Sequence, residues 1–219
     1  MAKLLKVGYW LNVLGGVAYL VVCVPALLAG HPLYPGQTML AVQVAAGIGL
    51  ALAPLLIERL GHFRFPLLLK VIYEAFILAS VLLGTGMQFY SIPYWDKFLH
   101  LFSAALLAGL GLAIFGALTP RAQLQRTSPL LLALFALSFG VLLGVFWEFY
   151  EFTGDGLGGL NMQRYMSGHT PLVGRAALMD TMGDLFADVF GALVLAVWTY
   201  LGVSHDRAWL DTFMFDHRA

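Results

Sequence analysis

Three aspartates recur at intervals of four residues in an otherwise apolar stretch, MDTMGDLFADVFGAL (179–193). On a helix, residues i and i+4 share one face, so Asp180, Asp184 and Asp188 would form a single stripe. Two other apolar segments, containing WDKFLH and VFWEFYE, also carry polar residues at one end. We expect these three helix ends to meet and to form one polar site.

The residue types at this site are those that bind a divalent cation. A charged residue near mid-membrane costs about 2.5–3.5 kcal/mol, so several acids in one layer need compensation. The sequence indicates no basic residue at a similar depth, which leaves either a bound metal ion or protonation of several acids. Imidazole favours Zn²⁺, Mn²⁺ or Fe²⁺ over Mg²⁺ or Ca²⁺. The predicted metal ligands are His100, Glu148, Asp184, Asp188 and Asp96.

Simpler roles are open for some of these residues. Asp96 and Asp180 could be helix N-terminal residues that interact with the helix dipole. Glu151 could be solvated at the membrane interface, and His100 could be an interfacial, hydrogen-bonded histidine. Capping and solvation weaken with depth, so they fit least well for the deeper acids Asp184, Asp188 and Glu148.

The same residues are also candidates for catalysis. A metal ion with an open position activates water, and Glu151 or Asp180 could then act as a general base. The glycine-rich segment 154–179 could fold over the site. Its Arg164 and Arg175 could orient the headgroup of a lipid or lipid-linked substrate, although a solvated loop is the alternative.

The elements that must position these residues are membrane helices. The chain of 219 residues is 60% hydrophobic and 11% charged, whereas a soluble domain has about 25% charged residues. Apolar segments long enough to cross a bilayer should be helices, because their backbone groups must be satisfied internally. We predict one all-α, polytopic membrane domain over 1–219, a bundle of about six helices, with spans near 7–29, 38–58, 66–88, 97–118, 129–152 and 180–203.

The distribution of basic residues predicts the orientation. One side of the predicted membrane receives eight of them: Lys3, Lys6, Arg59, Arg64, Arg121, Arg126, Arg207 and Arg218. The other side receives Lys97, Arg164 and Arg175. By the positive-inside rule both termini are cytoplasmic, and the acidic helix ends face outward in the inner (plasma) membrane. A net charge of zero argues against a nucleic-acid partner.

Two smaller features bear on alternative functions. Glu74 and Lys70 stand one turn apart in the third span, which indicates a buried i to i+4 ion pair. A proton path that includes Glu74 is the alternative. Cys23, the single cysteine, excludes an intrachain disulfide and is expected to be buried. The oligomeric state is not determined by the sequence.

Three blocks of the sequence resemble the YjdF-like family of bacterial inner-membrane proteins and, more loosely, VanZ-like proteins. They are WDKFLHLFSAALLAGLG (95–111), GVFWEFYEF (144–152) and DTMGDLFADVFGAL (180–193). The resemblance covers roughly residues 90–195. Its pattern falls on Asp96, Lys97, His100, Glu148, Asp184, Asp188, Gly191 and Ala192. It implies a multi-pass inner-membrane protein without defining an activity.

Three functions are therefore open at this stage. The first is a metal-dependent hydrolase or transferase that acts on a lipid or lipid-linked substrate. The second is a proton- or cation-coupled transporter. The third is a binding or assembly protein in which a structural metal joins the last three spans.

Overall fold

The computed structural model describes residues 1–217 and is about 80% helical. Its described part contains six helices that are long and apolar enough to cross a membrane. The prediction of an all-α polytopic bundle is confirmed. Arg218, which entered the orientation argument, lies outside the described residues. The main helices are α1 (Ala2–Leu28), α2 (Gln37–Gly61), α3 (Leu67–Ile77), α4 (Trp95–Leu118), the short α5 (Arg121–Leu124), α6 (Pro129–Gly158) and α7 (Met179–His205).

The third span keeps its predicted extent but changes helix type, whereas the fifth span is longer than predicted. A π-helix, Leu78–Gly86, continues α3 and completes the third span. Helix α6 begins at a proline in the first helical position, which is pre-organised for a helix start. It continues beyond the predicted end at residue 152 and stops where Gly159 adopts a φ of +59°, a left-handed conformation that favours glycine. Asp155, which lies just beyond the predicted end of this span, is therefore a helical residue.

The chain divides into two compact units. Unit 1 comprises Met1–Trp95 and the described residues from Thr212, and unit 2 comprises Asp96–Asp211. Each unit includes one short antiparallel pair of strands. Strands β1 (Phe63–Arg64) and β4 (Asp216–His217) pair in unit 1, and β2 (Met166–Ser167) and β3 (Thr170–Pro171) pair in unit 2. Every residue of the predicted site belongs to unit 2. The single domain over 1–219 stays a prediction.

Unit 1 pairs its buried acids differently from the sequence prediction. The Lys70 ammonium lies 2.7 Å from Glu58 Oε1, and the Phe65 backbone N–H donates to the same oxygen at 2.8 Å. Glu74 instead accepts a hydrogen bond from Asn12 Nδ2 at 2.8 Å. The expected Lys70–Glu74 pair is therefore wrong, because α2 offers Lys70 a closer carboxylate. Cys23 is buried, as expected.

Unit 2 depends on close helix packing at glycines. A Cβ atom on Gly191 of α7 would collide with the Leu101 carbonyl oxygen of α4. A Cβ atom on Gly140 of α6 would lie 2.8 Å from the Ala104 carbonyl oxygen. Small residues let helix backbones approach in this way. Since His100 directly precedes Leu101, the close contact of α4 and α7 brings this imidazole to the acids of α7.

Candidate functional site

Three helix ends converge in unit 2, as the sequence predicts. The start of α4, the end of α6 and the start of α7 together supply one imidazole and a set of carboxylates. His100, Glu148, Glu151, Asp184 and Asp188 are each at most 7% exposed. We refer to the following residues as the acidic cluster: Asp96, His100, Glu148, Glu151, Asp180, Asp184 and Asp188.

The Lys97 side chain contacts aspartates of the acidic cluster. This corrects the expectation that no basic residue lies at the depth of the acids. The Lys97 Nζ atom lies 2.6 Å from Asp180 Oδ1 and 2.8 Å from Asp184 Oδ2. It also donates to the Asp180 carbonyl oxygen at 3.1 Å. The i to i+3 spacing of Lys97 and His100 could have revealed this, since such residues are neighbours on a helix. The long lysine stem allows an interfacial residue to reach inward.

His100 lies between two aspartates of α7. Its Nδ1 atom is 3.3 Å from Asp188 Oδ1 and 3.4 Å from Asp188 Oδ2. Its Nε2 atom is 3.6 Å from Asp184 Oδ1, which is too long for a hydrogen bond. The i to i+4 spacing of the two aspartates therefore places one on each side of the ring.

One group of three residues has the geometry to hold a metal ion. Asp96, His100 and Asp184 each offer a ligand atom, and these atoms lie within 4.8 Å of one another. Two of the five predicted ligands, Asp188 and Glu148, are not part of this group. Asp188 contacts the opposite ring nitrogen of His100, and Glu148 accepts a hydrogen bond from Gln163 Nε2 at 3.0 Å.

Hydrogen bonds and an ion pair hold the segment after α6 against α6 and the acidic cluster. The Asp155 carboxylate accepts hydrogen bonds from the backbone N–H groups of Met162, at 2.7 Å, and Gln163, at 3.0 Å. These bonds direct Arg164 back toward α4, where its Nη2 atom lies 3.3 Å from Asp96 Oδ2. Arg164 has a φ of +46°, a conformation that costs a non-glycine residue about 1–2 kcal/mol. Its ionic contacts oppose that cost.

The remaining predicted residues have separate surroundings. Asp180 Oδ1, which binds Lys97, is also 3.8 Å from Arg164 Nε. Glu151 Oε1 accepts a hydrogen bond from Trp147 Nε1 at 2.9 Å. Arg175, the second predicted headgroup residue, is exposed in a 3₁₀ helix, Gly174–Leu178, that precedes α7. The structure thus brings Arg164, but not Arg175, into ionic contact with the acidic cluster.

The acidic cluster carries more acids than bases. It has six carboxyl groups, and the Lys97 and Arg164 side chains contact three of them, Asp96, Asp180 and Asp184. Among the described residues, three buried carboxylate oxygens have no hydrogen-bond partner: Glu148 Oε1, Asp180 Oδ2 and Asp184 Oδ1. An unsatisfied buried polar atom is costly. The arrangement therefore favours a positively charged or hydrogen-donating ligand.

Comparison with known proteins places the chain in a family. A family model described as "Predicted membrane protein (DUF2238)" matches residues 16–205. The chain belongs to this family. DUF2238 is the YjdF family, which agrees with the resemblance of the three sequence blocks. The looser VanZ-like resemblance stays a prediction.

One relative of this DUF2238 protein is an uncharacterised protein of Thermotoga maritima. It is 28% identical over 150 residues, which cover 68% of this chain and 70% of the relative. No solved structure matches the chain. The family description and the six apolar helices together identify a multi-pass membrane protein.

Proposed function

We propose that this DUF2238 protein binds a divalent metal ion through His100, Asp184 and Asp96. The observation that supports the proposal is the convergence of these three groups within 4.8 Å, from two different helices. Asp184 is 1% exposed, and its Oδ1 atom faces His100 Nε2 without a hydrogen bond. A metal ion between these two atoms would satisfy both.

Distances and charge support the same proposal. Neighbouring ligand atoms in a tetrahedral site with bonds of 2.0–2.2 Å are about 3.4 Å apart, and Asp184 Oδ1 is 3.6 Å from His100 Nε2. The surplus of carboxylates over Lys97 and Arg164 provides the negative charge that a divalent ion requires. The imidazole favours Zn²⁺, Mn²⁺ or Fe²⁺ over Mg²⁺ or Ca²⁺.

We further propose that the site serves a hydrolase or transferase reaction on a lipid or lipid-linked substrate. Three protein ligands leave a coordination position open, which is typical of catalytic rather than structural metal sites. A metal ion so bound supplies an activated water molecule or a Lewis acid. Glu151 is the proposed general base. Asp180, which is held between Lys97 and Arg164, is better suited to positioning Lys97 than to accepting a proton.

The proposed substrate contacts follow from the two loop arginines. Arg175 is exposed and free to meet an anionic headgroup. Arg164 already contacts Asp96 and Asp180, so it would have to exchange these contacts for a headgroup. We therefore assign the first contact with a lipid headgroup to Arg175 and a later one to Arg164.

Metal analysis of the purified protein tests the binding proposal. Protein loaded with Zn²⁺ or Mn²⁺ and freed of excess ion should retain about one ion per chain. His100→Gln and Asp184→Asn should each lose most of it, whereas Glu74→Gln, an acid of unit 1, should retain it. Wild-type protein without metal after reconstitution would overturn the proposal. Equal metal content in all four proteins would show that the ligands lie elsewhere.

A cation carrier is the second candidate, and the surplus of acids in the cluster favours it. In this case, liposomes containing the wild-type protein should take up Mn²⁺ or Zn²⁺, and Asp184→Asn should abolish the uptake. Hydrolysis of lipids without cation flux would favour the enzyme. Flux without hydrolysis would favour the carrier, and tight metal binding with neither activity would identify a structural metal.

The proposed orientation places both termini in the cytoplasm and the acidic cluster at the outer surface of the plasma membrane. A variant with Cys23→Ser provides a cysteine-free background, because Cys23 is the only cysteine. In that background, Ser91→Cys should react with a membrane-impermeant maleimide in intact spheroplasts, whereas Thr119→Cys should react only after lysis. The reverse pattern would place the acidic cluster on the cytoplasmic side.

A further inference from the structure

We propose that Arg164 and a divalent cation compete for Asp96, so that cation binding displaces the arginine from this carboxylate. The freed guanidinium then becomes available for the phosphate of an anionic headgroup. The cation would therefore bind before the headgroup does. This inference rests on the proposed metal site, but the state of Arg164 can be followed directly by its chemical reactivity.

Asp96 has two cationic neighbours at one carboxylate oxygen. Arg164 Nη2 lies 3.3 Å from Asp96 Oδ2, and Lys97 Nζ lies 3.7 Å from the same oxygen. Asp96 also belongs to the group of three residues that could hold a metal ion. A divalent ion at Asp96 would be a third cation beside one carboxylate, and like charges repel. We therefore expect one of the two side chains to leave.

Arg164 is the more weakly held of these two side chains. Without Asp96, Lys97 keeps Asp180 Oδ1 at 2.6 Å and Asp184 Oδ2 at 2.8 Å. Arg164 keeps a contact of 3.8 Å with Asp180 Oδ1, the oxygen that Lys97 already binds. The Arg164 side chain is 43% exposed and that of Lys97 is 24% exposed. Water can therefore solvate the freed guanidinium more easily than the ammonium group.

The backbone around Arg164 also favours displacement of this side chain. Arg164 has a φ of +46°, which is unfavourable for a residue with a Cβ atom, and its ionic contacts oppose that cost. The rest of the segment has other attachments, because the Asp155 carboxylate binds the backbone N–H groups of Met162 and Gln163. Gln163 Nε2 also donates to Glu148 Oε2 at 3.0 Å. The arginine side chain can therefore move while the segment stays beside the acidic cluster.

The displaced arginine suits a phosphate group. Its planar guanidinium presents N–H donors in a geometry that matches phosphate oxygens, and a bound divalent ion attracts the same oxygens. Once the cation has taken Asp96, two positive groups can face one anionic headgroup. While Arg164 stays on Asp96, its donors are used within the protein. The contacts therefore predict that the cation binds first and the phosphate second.

Modification of arginine by phenylglyoxal, measured by mass spectrometry of protein in dodecyl maltoside micelles, tests the displacement. In wild type, Zn²⁺ or Mn²⁺ should speed the modification of Arg164 by about two- to fivefold, as expected for breaking a partly exposed ion pair. Asp96→Asn should show the faster rate without metal and no further increase with it. A slow Arg164 in metal-free Asp96→Asn would overturn the inference.

The ion pair of Arg121 and Asp211 provides a matched control within unit 2. Arg121 Nη1 lies 2.7 Å from Asp211 Oδ1, and neither residue belongs to the acidic cluster. Metal should leave the modification rate of Arg121 unchanged. Asp211→Asn should speed the modification of Arg121 and leave that of Arg164 as in wild type. A metal effect of equal size on both arginines would overturn the assignment to Asp96.

The order of binding is tested with two sources of phosphate, glycerol phosphate in solution and phosphatidylglycerol in mixed micelles. With metal present, the phosphate should slow the modification of Arg164 again, and without metal it should have no effect. Slowing by phosphatidylglycerol alone would identify a lipid headgroup, and slowing by both would identify a phosphate of either source. Equal slowing with and without metal would overturn the order, and slowing by neither would overturn the role of Arg164 in binding phosphate.

The metal content of the same samples separates this inference from the proposed function. If wild type retains no ion, the proposed metal site fails whatever the reactivity of Arg164. If wild type retains the ion and the modification of Arg164 is unchanged, the metal site stands and the displacement fails. Should Asp96→Asn not fold, wild type with and without metal still decides between these outcomes.

Discussion

The buried acids of unit 1 and those of unit 2 have contrasting surroundings. In unit 1, Glu58 binds the Lys70 ammonium at 2.7 Å, and Glu74 binds the Asn12 amide at 2.8 Å. In unit 2, Lys97 and Arg164 contact three of the six carboxyl groups of the acidic cluster. Three buried carboxylate oxygens of the cluster have no hydrogen-bond partner among the described residues.

Under the proposed function, the difference separates acids that stabilise the fold from acids that bind a ligand. A buried acid with its own donor is satisfied within the protein, and its contribution is structural. A group of ionised acids with too few donors is unfavourable in a membrane unless a cation binds or some of the acids are protonated. Metal binding should therefore depend on unit 2 alone, while substitutions in unit 1 should change only stability.

The largest expected effect is on metal affinity. Asp184→Ala should weaken metal binding by at least about 1,000-fold, or about 4 kcal/mol, because it removes one of the three proposed ligands. Glu74→Ala should leave the metal affinity within about threefold of wild type, because Glu74 binds Asn12 in unit 1 and is not a proposed ligand. A change of about threefold corresponds to less than about 1 kcal/mol. Competition titration with a metal-binding dye measures both. Similar losses in the two variants would eliminate the proposed division between the units.

Lys97→Met should cost about 3 kcal/mol of stability in metal-free protein, because it leaves Asp180 and Asp184 without their ammonium group. Added metal should recover part of this loss by supplying positive charge to Asp184. Lys97→Arg, which keeps the charge, should lose less. Reversible unfolding in mixed micelles, with and without metal, measures the effect. An equal loss in both conditions would mean that Lys97 and the metal do not share Asp184.

Asn12→Leu should destabilise unit 1 by about 1–3 kcal/mol, because Glu74 then lacks its donor. The double variant Asn12→Leu/Glu74→Leu should regain most of that loss, since replacing both partners of a buried polar pair by apolar groups is often nearly neutral. Metal binding should be unaffected in both. A double variant that binds metal less tightly than wild type would show that Glu74 contributes to the site.

The smallest expected effect is at Asp155. Asp155→Ala should cost about 1–2 kcal/mol, because the backbone N–H groups of Met162 and Gln163 lose their acceptor. Hydrogen exchange should accelerate in 160–165, with metal affinity within about threefold of wild type. Thr153→Ala, on the same turn of α6, is the control. Unchanged exchange in Asp155→Ala would show that Asp155 does not hold this segment.

Parts of the site could be predicted from the sequence because they depend on helical spacing. Asp184 and Asp188 share a helix face in any α-helix, and Asp96 and His100 do as well. The contact of Lys97 with the acids could not be predicted in this way, because a charge count assigns a residue to one side of the membrane but does not say how far its side chain extends. The glycines at 154 and 156 indicate the end of a helix, but α6 continues through both of them to Gly158, so that Asp155 is helical.

The sequence by itself determined that most of the chain lies in lipid, how many helices span the membrane, and which helix ends carry acids. These depend on composition and on the local period of the α-helix, and neither requires knowledge of neighbouring helices. The tertiary structure decided that Lys70 pairs with Glu58, that Lys97 enters the cluster, and that Asp188 and Asp184 contact opposite nitrogens of His100. These outcomes depend on how closely α4, α6 and α7 approach at Gly144 and Gly191, and on the approach of α2 to α3. A one-residue rotation of a helix, about 100°, would change every one of these contacts.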